Sequence, residues 1–543
     1  MSITRRRFLA QGAAVAAVAL VPPPRAQAQP SIRDEDLVDS GDGFRRGEAR
    51  DAAITPSPDG LDVQATRGLG VFTSRALASV TPFTHLGLHW SAAVPPGAGL
   101  DFELRTSTDG ASWSPWAAIT VTHEPDETSV GDYFAGLVYA GGARFVQYRA
   151  TLRMSGGLSP RLRRVTATAI SSPVATAVVG SVTVADDRGG TLEVTPREAW
   201  GADEGVRFDR KSNEVWPEMF VSARKLVIHH TATRNDYASG AEAAAEVRAI
   251  YRYHAVTQRW GDIGYTALVD KFGTIYEGRH GRGEGGGREH LSAGVVAGHD
   301  TSHNYGSAGV ALLGDATKQG WSMPQASGAM WEALVRCTTF EAGRHGIRPL
   351  SADGGVAASD FLRSDDTWSA VMRNVSGHRE TNATACPGDQ VMGLLGNLRS
   401  ATHARLTQVV AAGVTVIGTS PREVSLVDGL RLGFTWAPEV PSGWSVATYE
   451  ASLEGWYKPP TSYDITYLSG YGPSAWPEQP RSLWSSRGPD VRSESFPIAR
   501  AGHYTLRVRA ILRDASGAQA TAPYEGSFTY LVKAASTTGG KRR

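Results

Sequence analysis

Apolar and polar residues alternate along much of the first third of the chain. This period of two is seen in the segments HLGLHWSAAV (85–94), GLDFELRTSTDG (99–110), RFVQYRATLRM (144–154) and RVTATAIS (164–171). Successive side chains of a strand point to opposite faces, so such a pattern indicates half-buried strands. The pattern predicts a β-sandwich-like domain over residues 56–180. Residues 29–55 are polar and charged, and are expected to form a flexible lead-in.

The middle of the chain changes to a mixture of strand and helix patterns. Short apolar runs predict strands at KLVIHHT (225–231) and AGVALLGD (308–315), and a hairpin at GYTALVDKFGTIYEGR (264–279). Helical periodicity is found at about 241–257, at about 325–344 and again after residue 389. Alternating strands and helices are typical of an α/β domain. We therefore predict a central α/β domain, a mixed sheet with flanking helices, over residues 191–412.

The alternating pattern returns towards the end of the chain. It is clear in LRLGFTWAP (430–438), YEASLEGWY (449–457) and HYTLRVRAILRDASG (503–517). It predicts a second β-sandwich, similar to a fibronectin type III domain, over residues 415–535, followed by a disordered tail at 536–543. The predicted fold class is thus a multidomain chain with the α/β domain between two β-sandwich-like domains.

The length of the chain indicates several globular domains, and its net charge argues against one class of ligand. A chain of 543 residues is too long for one core, and the usual domain size suggests about three domains. The 55 basic and 54 acidic residues leave a formal charge of only +1, which argues against nucleic acid as the main ligand. Beyond the N-terminal apolar run at 8–22, no stretch is apolar for long enough to predict a transmembrane helix.

The first 28 residues have the pattern of an export signal. Basic residues 1–7 precede an apolar run at 8–22, and RAQAQP (25–30) contains a typical cleavage site after residue 28. The segment TRRRFLA (4–10) resembles a twin-arginine signal, with an ordinary basic start as the alternative. We therefore expect a secreted bacterial protein that is located in the periplasm, cell wall or extracellular space.

A histidine and a cysteine lie eight positions apart in GHRETNATACPGDQV (377–391), and the chain has only 2 cysteines. Hydrolytic zinc uses three protein ligands and keeps one position for water. His378 and Cys386 would supply two ligands, and the apolar strand offers His229 or His230 as the third. Adjacent strand residues face opposite ways, so only one of the two can reach the metal, and the pattern does not say which. A Cys337–Cys386 disulfide is the competing hypothesis.

Five segments together carry a resemblance to a known family. They are TPREAWGA (195–202), VIHHTAT (227–233), GDIGYTALVDKFGTIYEGR (261–279), NYGSAGVALLGD (304–315) and GHRETNATACPGD (377–389). In this order they resemble the zinc amidases, a family that includes peptidoglycan recognition proteins and phage amidase lysozymes. The resemblance covers residues 195–410. It implies a zinc-dependent N-acetylmuramoyl-L-alanine amidase, which cleaves the bond between N-acetylmuramic acid and L-alanine of peptidoglycan through a zinc-bound water.

The resemblance also assigns the metal and catalytic residues. It implies that His229, His378 and Cys386 bind Zn²⁺ and that Tyr265 is catalytic. Thr384 occupies a further catalytic position, where phage enzymes carry Lys and active recognition proteins carry Thr. Recognition proteins that only bind peptidoglycan commonly lack the metal cysteine, which this chain keeps. An enzyme is therefore favoured, with a non-catalytic peptidoglycan-binding protein as the alternative.

Substrate contacts are expected from three further positions. The resemblance places His254, Arg279 and Asn304 along the peptide groove. Core packing is the alternative for His254, and an ordinary solvated side chain is the alternative for Arg279. Glu380 lies near the metal segment in sequence, where it would serve either as a general acid/base or only as a loop residue.

Overall fold

The computed structural model describes residues 32–534, except residues 59, 120, 124–131, 175–179, 187, 189, 284–285, 319–320, 322–327, 364 and 457–483. The predicted export signal at 1–28 and the predicted tail at 536–543 lie outside the described residues. Within the described part, no helix is both long enough and apolar enough to span a membrane.

The first part of the described chain is a single twelve-stranded sheet. Its strands β1 to β12 are Arg33–Ser40, Glu48–Arg50, Ala52–Ser57, Gly60–Ala65, Leu69–Thr73, Leu77–Ala93, Gly99–Ser107, Ala117–Ala118, Val121–His123, Tyr133–Ala135, Val138–Arg153 and Arg161–Ser171. The predicted β content is confirmed here, but the strands form one continuous sheet rather than two hydrogen-bonded sheets. Buried aromatic and aliphatic side chains such as Trp90, Phe102 and Tyr148 fill its core.

The prediction of a flexible lead-in at 29–55 is wrong for its described residues. Strand β1 pairs with β12 along its whole length, from Arg33 opposite Ser171 to Ser40 opposite Arg164. In β1, Leu37 is buried and Asp39 accepts a hydrogen bond from the Tyr148 hydroxyl at 2.7 Å. The strand is polar because most of its residues remain partly exposed, which concealed it in the sequence.

A two-stranded ribbon, β13 (Val182–Ala185) and β14 (Thr191–Val194), leads to a five-stranded mixed sheet. The next strands, β15 to β21, are Lys225–His230, Ala267–Val269, Ile275–Glu277, Ser307–Leu312, Ala358–Ser359, Met372–Arg373 and Val375–Gly377. The order in the mixed sheet is β17-β16-β18-β15-β21. Strand β15 runs parallel to both of its neighbours, so it lies inside the sheet and is buried throughout.

Four α-helices are present in the described residues. They are α1 (Arg197–Trp200), α2 (Gly240–Arg252), α3 (Ala329–His345) and α4 (Asp389–Leu406). Helix α2 begins where Ser239 accepts a hydrogen bond from the Glu242 backbone N–H, and it continues into a π-helical turn, Tyr253–Thr257. Helices α3 and α4 pack on one face of the mixed sheet, while α2 packs on the other. The predicted central strands and helices are therefore confirmed.

The C-terminal strands form two sheets over one buried cluster. Strands β22 to β30 are Gly413–Gly418, Glu423–Ser425, Arg431–Glu439, Trp444–Trp456, Ser485–Arg487, Ser493–Pro497, Gly502–Asp514, Gln519–Thr521 and Gly526–Lys533. One sheet is β22-β24-β27 and the other has β23-β30-β28-β25-β26 with β29 beside β28. Phe434 of the first sheet and Tyr530 of the second pack with ring centroids 5.2 Å apart.

The N-terminal sheet is fastened to α2 by polar contacts in a buried interface. His85 and Glu246 form a buried pair with 3.0 Å between Nε2 and Oε1. The Tyr253 hydroxyl donates to the Ala135 carbonyl at 2.9 Å. Apolar side chains of the N-terminal sheet, including Ile170, join the same cluster as α2. The first sheet therefore lies against the α2 side of the central sheet.

Candidate functional site

The end of β15 presents two imidazoles in different surroundings. Nδ1 of His230 accepts a hydrogen bond from the Ala316 backbone N–H at 3.0 Å, so this imidazole is tied to the loop after β18. Nδ1 of His229 instead lies 3.7 Å from Sγ of Cys386. The structure thus separates the two imidazoles that the alternation of strand side chains left open: the His229 ring faces the cysteine, whereas only the backbone of His230 contacts the sulfur.

The remaining candidate ligands come from the segment between β21 and α4. His378 begins a short 3₁₀ turn directly after β21, and Cys386 precedes α4. One ligand atom from each of His229, His378 and Cys386 lies within 4.8 Å of the others. β15 and β21 are adjacent parallel strands, which explains how residues so far apart in sequence meet at the same edge of the sheet.

A chain of hydrogen bonds fixes which nitrogen of His229 carries the proton. Ser307 Oγ donates its only proton to a backbone carbonyl, that of His303, so towards His299 Nε2, 3.2 Å away, it must accept. His299 Nε2 is then protonated, and His299 Nδ1 is an acceptor. It accepts from His229 Nε2–H at 3.0 Å. His229 Nδ1 is therefore left with a lone pair directed towards the Cys386 side.

The donor set fits a zinc ion. Zinc bonds of about 2.0–2.3 Å in a tetrahedral site place ligand atoms roughly 3.3–3.7 Å apart, close to the His229–Cys386 separation of 3.7 Å. Burial lowers the pKa of both His229 and His378, so both imidazoles are neutral, as metal ligands must be. Burial raises the pKa of Cys386 to about 12, so the thiol needs a nearby cation to become a thiolate.

The candidate ligands lie in the wall of a cavity of about 260 Å³. Tyr265 lines the same cavity, and its ring centroid is 5.5 Å from that of His229. Burial and the Cys386 sulfur both raise the pKa of Tyr265, so the phenol remains a hydrogen-bond donor. Thr384 also lines the cavity, and its Oγ1 accepts from the Cys386 backbone N–H at 3.2 Å. The Thr384 proton remains available for a group in the cavity.

Two of the three predicted substrate contacts line this cavity. His254 Nδ1 accepts from the Gly264 backbone N–H at 3.2 Å, so the proton of the neutral imidazole lies on Nε2. Burial lowers the pKa of His254 to about 3, which keeps the imidazole neutral. Asn304 lines the cavity as well, and its side-chain oxygen accepts from the Asp300 backbone N–H at 2.8 Å. Asn304 therefore also holds the loop before β18 in shape.

Arg279 does not line this cavity, and its side chain is not solvated. Its side chain is fully buried, away from the cavity wall, and Nη1 donates to Asp262 at 2.6 Å. Nη2 donates to the Trp216 carbonyl at 2.6 Å, and the guanidinium stacks on the Trp216 ring at 3.9 Å. The sequence interpretation failed because a charged residue after a strand is usually exposed. Here Asp262 neutralises the charge of Arg279, and the Trp216 ring covers its guanidinium.

Two further sequence alternatives are resolved by the structure. Glu380 does not line the cavity; it accepts from the Gly377 backbone N–H at 2.9 Å and pairs with Arg373, so the loop interpretation is the correct one. Cys337 and Cys386 are both free thiols, and Cys337 lies on the buried face of α3. The disulfide hypothesis is therefore wrong.

The sequence interpretation treats His299 as an ordinary loop residue and gives Asp300 no role, but both line the cavity. Oδ1 of Asp300 lies 3.8 Å from Nε2 of His378. Burial favours the neutral acid, but a hydrogen bond with His303 and the nearby imidazoles lower the pKa of Asp300. A signal was present: GHDTSHN (298–304) holds three titratable side chains immediately before a buried strand. Val121 of the N-terminal sheet also reaches the cavity wall, which nothing in the sequence indicated.

Comparison with known proteins places this site within a recognisable segment. The sequence model of the family described as N-acetylmuramoyl-L-alanine amidase matches residues 220–389. A human N-acetylmuramoyl-L-alanine amidase is 29% identical over 171 residues, which are 31% of this chain and 23% of the human protein. Peptidoglycan-recognition protein SC2 of Drosophila melanogaster is 26% identical over 165 residues, or 30% of this chain and 68% of that protein. The resemblance of the central segment to this family is confirmed.

A solved structure is also similar to part of the chain. It is a human peptidoglycan recognition protein, PGRP-IβC, in complex with glycosamyl muramyl pentapeptide. The similarity covers 37% of this chain and 92% of that chain, with 22% identity and a TM-score of 0.26. The chain spans less than a quarter of the length of the human amidase that it matches.

Proposed function

We propose that this protein is a zinc-dependent N-acetylmuramoyl-L-alanine amidase that cleaves the bond between N-acetylmuramic acid and the L-alanine of the stem peptide. The observation that carries the proposal is the meeting of His229, His378 and Cys386 at one wall of a cavity that also presents Tyr265. Two imidazoles and one thiol are a donor set that suits zinc and leaves a fourth position for water.

Zinc in this position would polarise the scissile carbonyl and acidify a bound water. The protein's part is to hold the ion and to keep its ligands in the correct protonation state. The Ser307–His299–His229 hydrogen bonds do this for one ligand, because they leave the Nδ1 lone pair of His229 free. In most protein metal sites, a hydrogen bond to the second ring nitrogen of a histidine ligand fixes its orientation and tautomer in this way.

Tyr265 and Thr384 are the proposed donors to the oxygen on which negative charge develops. Each has a hydroxyl proton, and both line the cavity. One such donor, held in place before the reaction, contributes about 3–4 kcal/mol to transition-state stabilisation. The protonated Nε2 of His254 is a third donor in the cavity wall, which we assign to binding of the stem peptide.

A peptidoglycan-binding protein without turnover is the second candidate. The similarity to peptidoglycan-recognition protein SC2 supports wall binding without itself requiring catalysis. The retained cysteine favours the enzyme, because a protein that only binds the wall needs no nucleophile-activating metal. Export to the periplasm, cell wall or exterior is part of the proposal, since its substrate lies there.

The test is digestion of purified bacterial sacculi with the zinc-loaded full chain, followed by mass spectrometry of the soluble products. The amidase proposal expects free stem peptides that begin with L-alanine and glycan strands that keep the lactyl group. Cys386→Ser should bind less zinc and release no peptides while still folding. Zinc-loaded wild type that sediments with sacculi and exposes no new amino termini would support the binding protein instead.

The N-terminal sheet has a proposed role in the substrate cleft. It packs on α2 and contributes Val121 to the cavity wall. We propose that it forms one side of the substrate cleft. The division into three folded units, and wall targeting or spacing by the flanking β-domains, remain proposals that isolated-domain pull-downs with sacculi can test.

A further inference from the structure

A second cavity, of about 130 Å³, lies between the central sheet and the C-terminal sheets. Its lining combines residues at the start of β15, the end of α3, the segment around β19 and strand β30. Ser359 and Ser527 at its rim are exposed, whereas Lys225 and Thr529 are buried. The cavity is therefore open to solvent and has a buried floor. It shares no lining residue with the cavity that holds His229.

The lining carries an excess of positive charge. Five basic side chains, Arg224, Lys225, Arg348, Arg422 and Arg507, face two carboxylates, Asp360 and Glu525. Three of the five already have acidic partners. Arg348 pairs with Glu439 at 2.7 Å, Arg422 with Asp360, and Arg507 with Glu525 at 2.5 Å. The charge of the other two is left without a carboxylate at ion-pair distance among the described residues.

Those two cations are neighbours in the chain and are bound only to neutral acceptors. Arg224 Nη1 donates to the Thr529 hydroxyl. Lys225 Nζ donates to the Met372 carbonyl and to Asn374 Oδ1, each at 2.8 Å, and to both oxygens of Ser359. Burial lowers the pKa of Arg224 to about 10. Burial and the Arg224 charge lower the pKa of Lys225 to about 7. Asp360 acts on both groups, and Glu454 also acts on Arg224, but burial outweighs these carboxylates. Buried cations without a carboxylate at ion-pair distance are costly, and an anion would relieve that cost.

A buried imidazole in the same lining also lacks a hydrogen bond. His345, at the end of α3, has a side chain that is 3% exposed, and neither ring nitrogen makes a hydrogen bond among the described residues. Its Nε2 lies 3.8 Å from a carboxylate oxygen of Glu341, too far for a hydrogen bond. Burial and three nearby arginines lower its pKa, so the imidazole is neutral and carries one N–H donor. Buried polar groups are nearly always hydrogen-bonded, so the missing hydrogen bond points to a bound group.

We propose that this cavity is a binding site for a phosphate group, held by Arg224, Lys225 and the His345 N–H. A tetrahedral oxyanion accepts hydrogen bonds in several directions at once, as donors from the start of β15 and the end of α3 require. The phosphate belongs to a free ion or to a phosphodiester of an anionic wall polymer, and both present the same chemistry. The site lies between the proposed hydrolase segment and the C-terminal sheets, and its occupation does not depend on amide hydrolysis.

Calorimetric titration of the full chain with sodium phosphate, against sodium chloride at equal ionic strength, tests the proposal. We expect saturable binding of phosphate and none of chloride. Arg224→Gln and Lys225→Met each remove one charged hydrogen-bond donor and should weaken phosphate binding about tenfold or more. Arg161→Gln removes an equal charge from an exposed position on β12 and should leave binding unchanged.

Thermal unfolding in chloride shows which variants remain folded, and at least one of the two cavity variants must fold for the comparison. Because phosphate is also a zinc ligand, binding that is undiminished in every cavity variant that folds is binding elsewhere and would overturn the proposal. Equal responses to phosphate and chloride would overturn it as well. Competition with short poly(glycerol phosphate) distinguishes the sources: tighter binding than inorganic phosphate identifies a polymer, and weaker binding identifies the free ion.

Discussion

Nε2 of His229 lies 3.0 Å from Nδ1 of His299, and this contact fixes the proton position on the first candidate zinc ligand. Replacement of His299 by Leu removes the acceptor and frees the His229 ring to rotate or change tautomer. We expect zinc affinity to fall about 10- to 100-fold. Competition with a chelator of known affinity measures this directly, without reference to hydrolysis.

His303→Leu is the matched control for that experiment. The His303 imidazole lies in the same loop, but its Nδ1 faces the Thr301 carbonyl and Asp300 rather than His229. Its zinc affinity should remain within about threefold of wild type. Equal losses in the two variants would mean that the loop as a whole, and not the contact with His229, supports the site.

Tyr265→Phe should reduce kcat on peptidoglycan and leave zinc content unchanged. The phenol lines the cavity, and its raised pKa keeps the proton that it would donate to the developing oxyanion. Loss of one such donor lowers kcat by about 10²- to 10³-fold. Tyr253→Phe removes a buried hydroxyl that bonds the Ala135 carbonyl and should leave kcat nearly unchanged. Undiminished kcat in Tyr265→Phe would remove this residue from the proposed chemistry.

Arg279→Met should destabilise the fold rather than weaken substrate binding. It leaves the buried carboxylate of Asp262 with one fewer cation, and breaking a buried pair costs about 3–5 kcal/mol. Urea unfolding measures the loss, and KM of the remaining folded enzyme should not change. Arg405→Met, on the surface of α4, breaks an ion pair with Glu332 and should cost at most about 1 kcal/mol. A raised KM without loss of stability would restore the substrate role.

Thiol titration tests whether Cys337 and Cys386 are free thiols rather than a disulfide. The chain has 2 cysteines, and both are free in the structure. Unfolded protein that has never been reduced should therefore release two equivalents of thiol. In the folded protein Cys337 should not react, since it lies on the buried face of α3. No reactive thiol in the unfolded protein would mean that the two sulfurs are bonded and that Cys386 cannot bind zinc.

The sequence predicted the central fold well because its signals are local. The apolar run of β15 and the helical periodicity of α3 and α4 belong to elements whose buried faces depend on their own residues. The His378/Cys386 pair was visible for the same reason. Strand β1 was missed because its pairing with β12 is a long-range interaction that stabilises a polar segment.

The difference between local sequence signals and long-range contacts also applies within the site. The assignment of His229 rather than His230 rested on resemblance, since adjacent strand residues are equivalent by pattern. The contacts to Cys386 and Ala316 distinguish them only once the sheet is assembled. Arg279 was misjudged because its partners, Asp262 and Trp216, come from distant loops. Buried charge pairs of this kind leave no periodic signal in the sequence.

Glu218 should make the stability of the protein depend on acid pH. Its carboxylate is 1% exposed and contacts Arg207, Arg282 and His280. Burial raises its pKa, but the hydrogen bond from His280 and the charges of Arg279 and Arg207 outweigh burial and lower it from 4.5 to about 2. In the unfolded chain the carboxyl regains its ordinary pKa, so the unfolded state binds more protons between these values. Stability therefore rises with pH through this window.

Glu218→Gln removes the titrating group and so isolates its contribution. The difference in unfolding free energy between wild type and variant should grow by about 3 kcal/mol from pH 2 to pH 5 and then stay constant, because each pKa unit corresponds to about 1.4 kcal/mol. Urea unfolding of both proteins at matched pH values cancels the other carboxylates. Glu332→Gln, an exposed change on α3, should give a difference below about 1 kcal/mol at every pH. A pH-independent difference for Glu218→Gln would show that its ion pairs with the arginines do not lower the pKa of the carboxyl in solution.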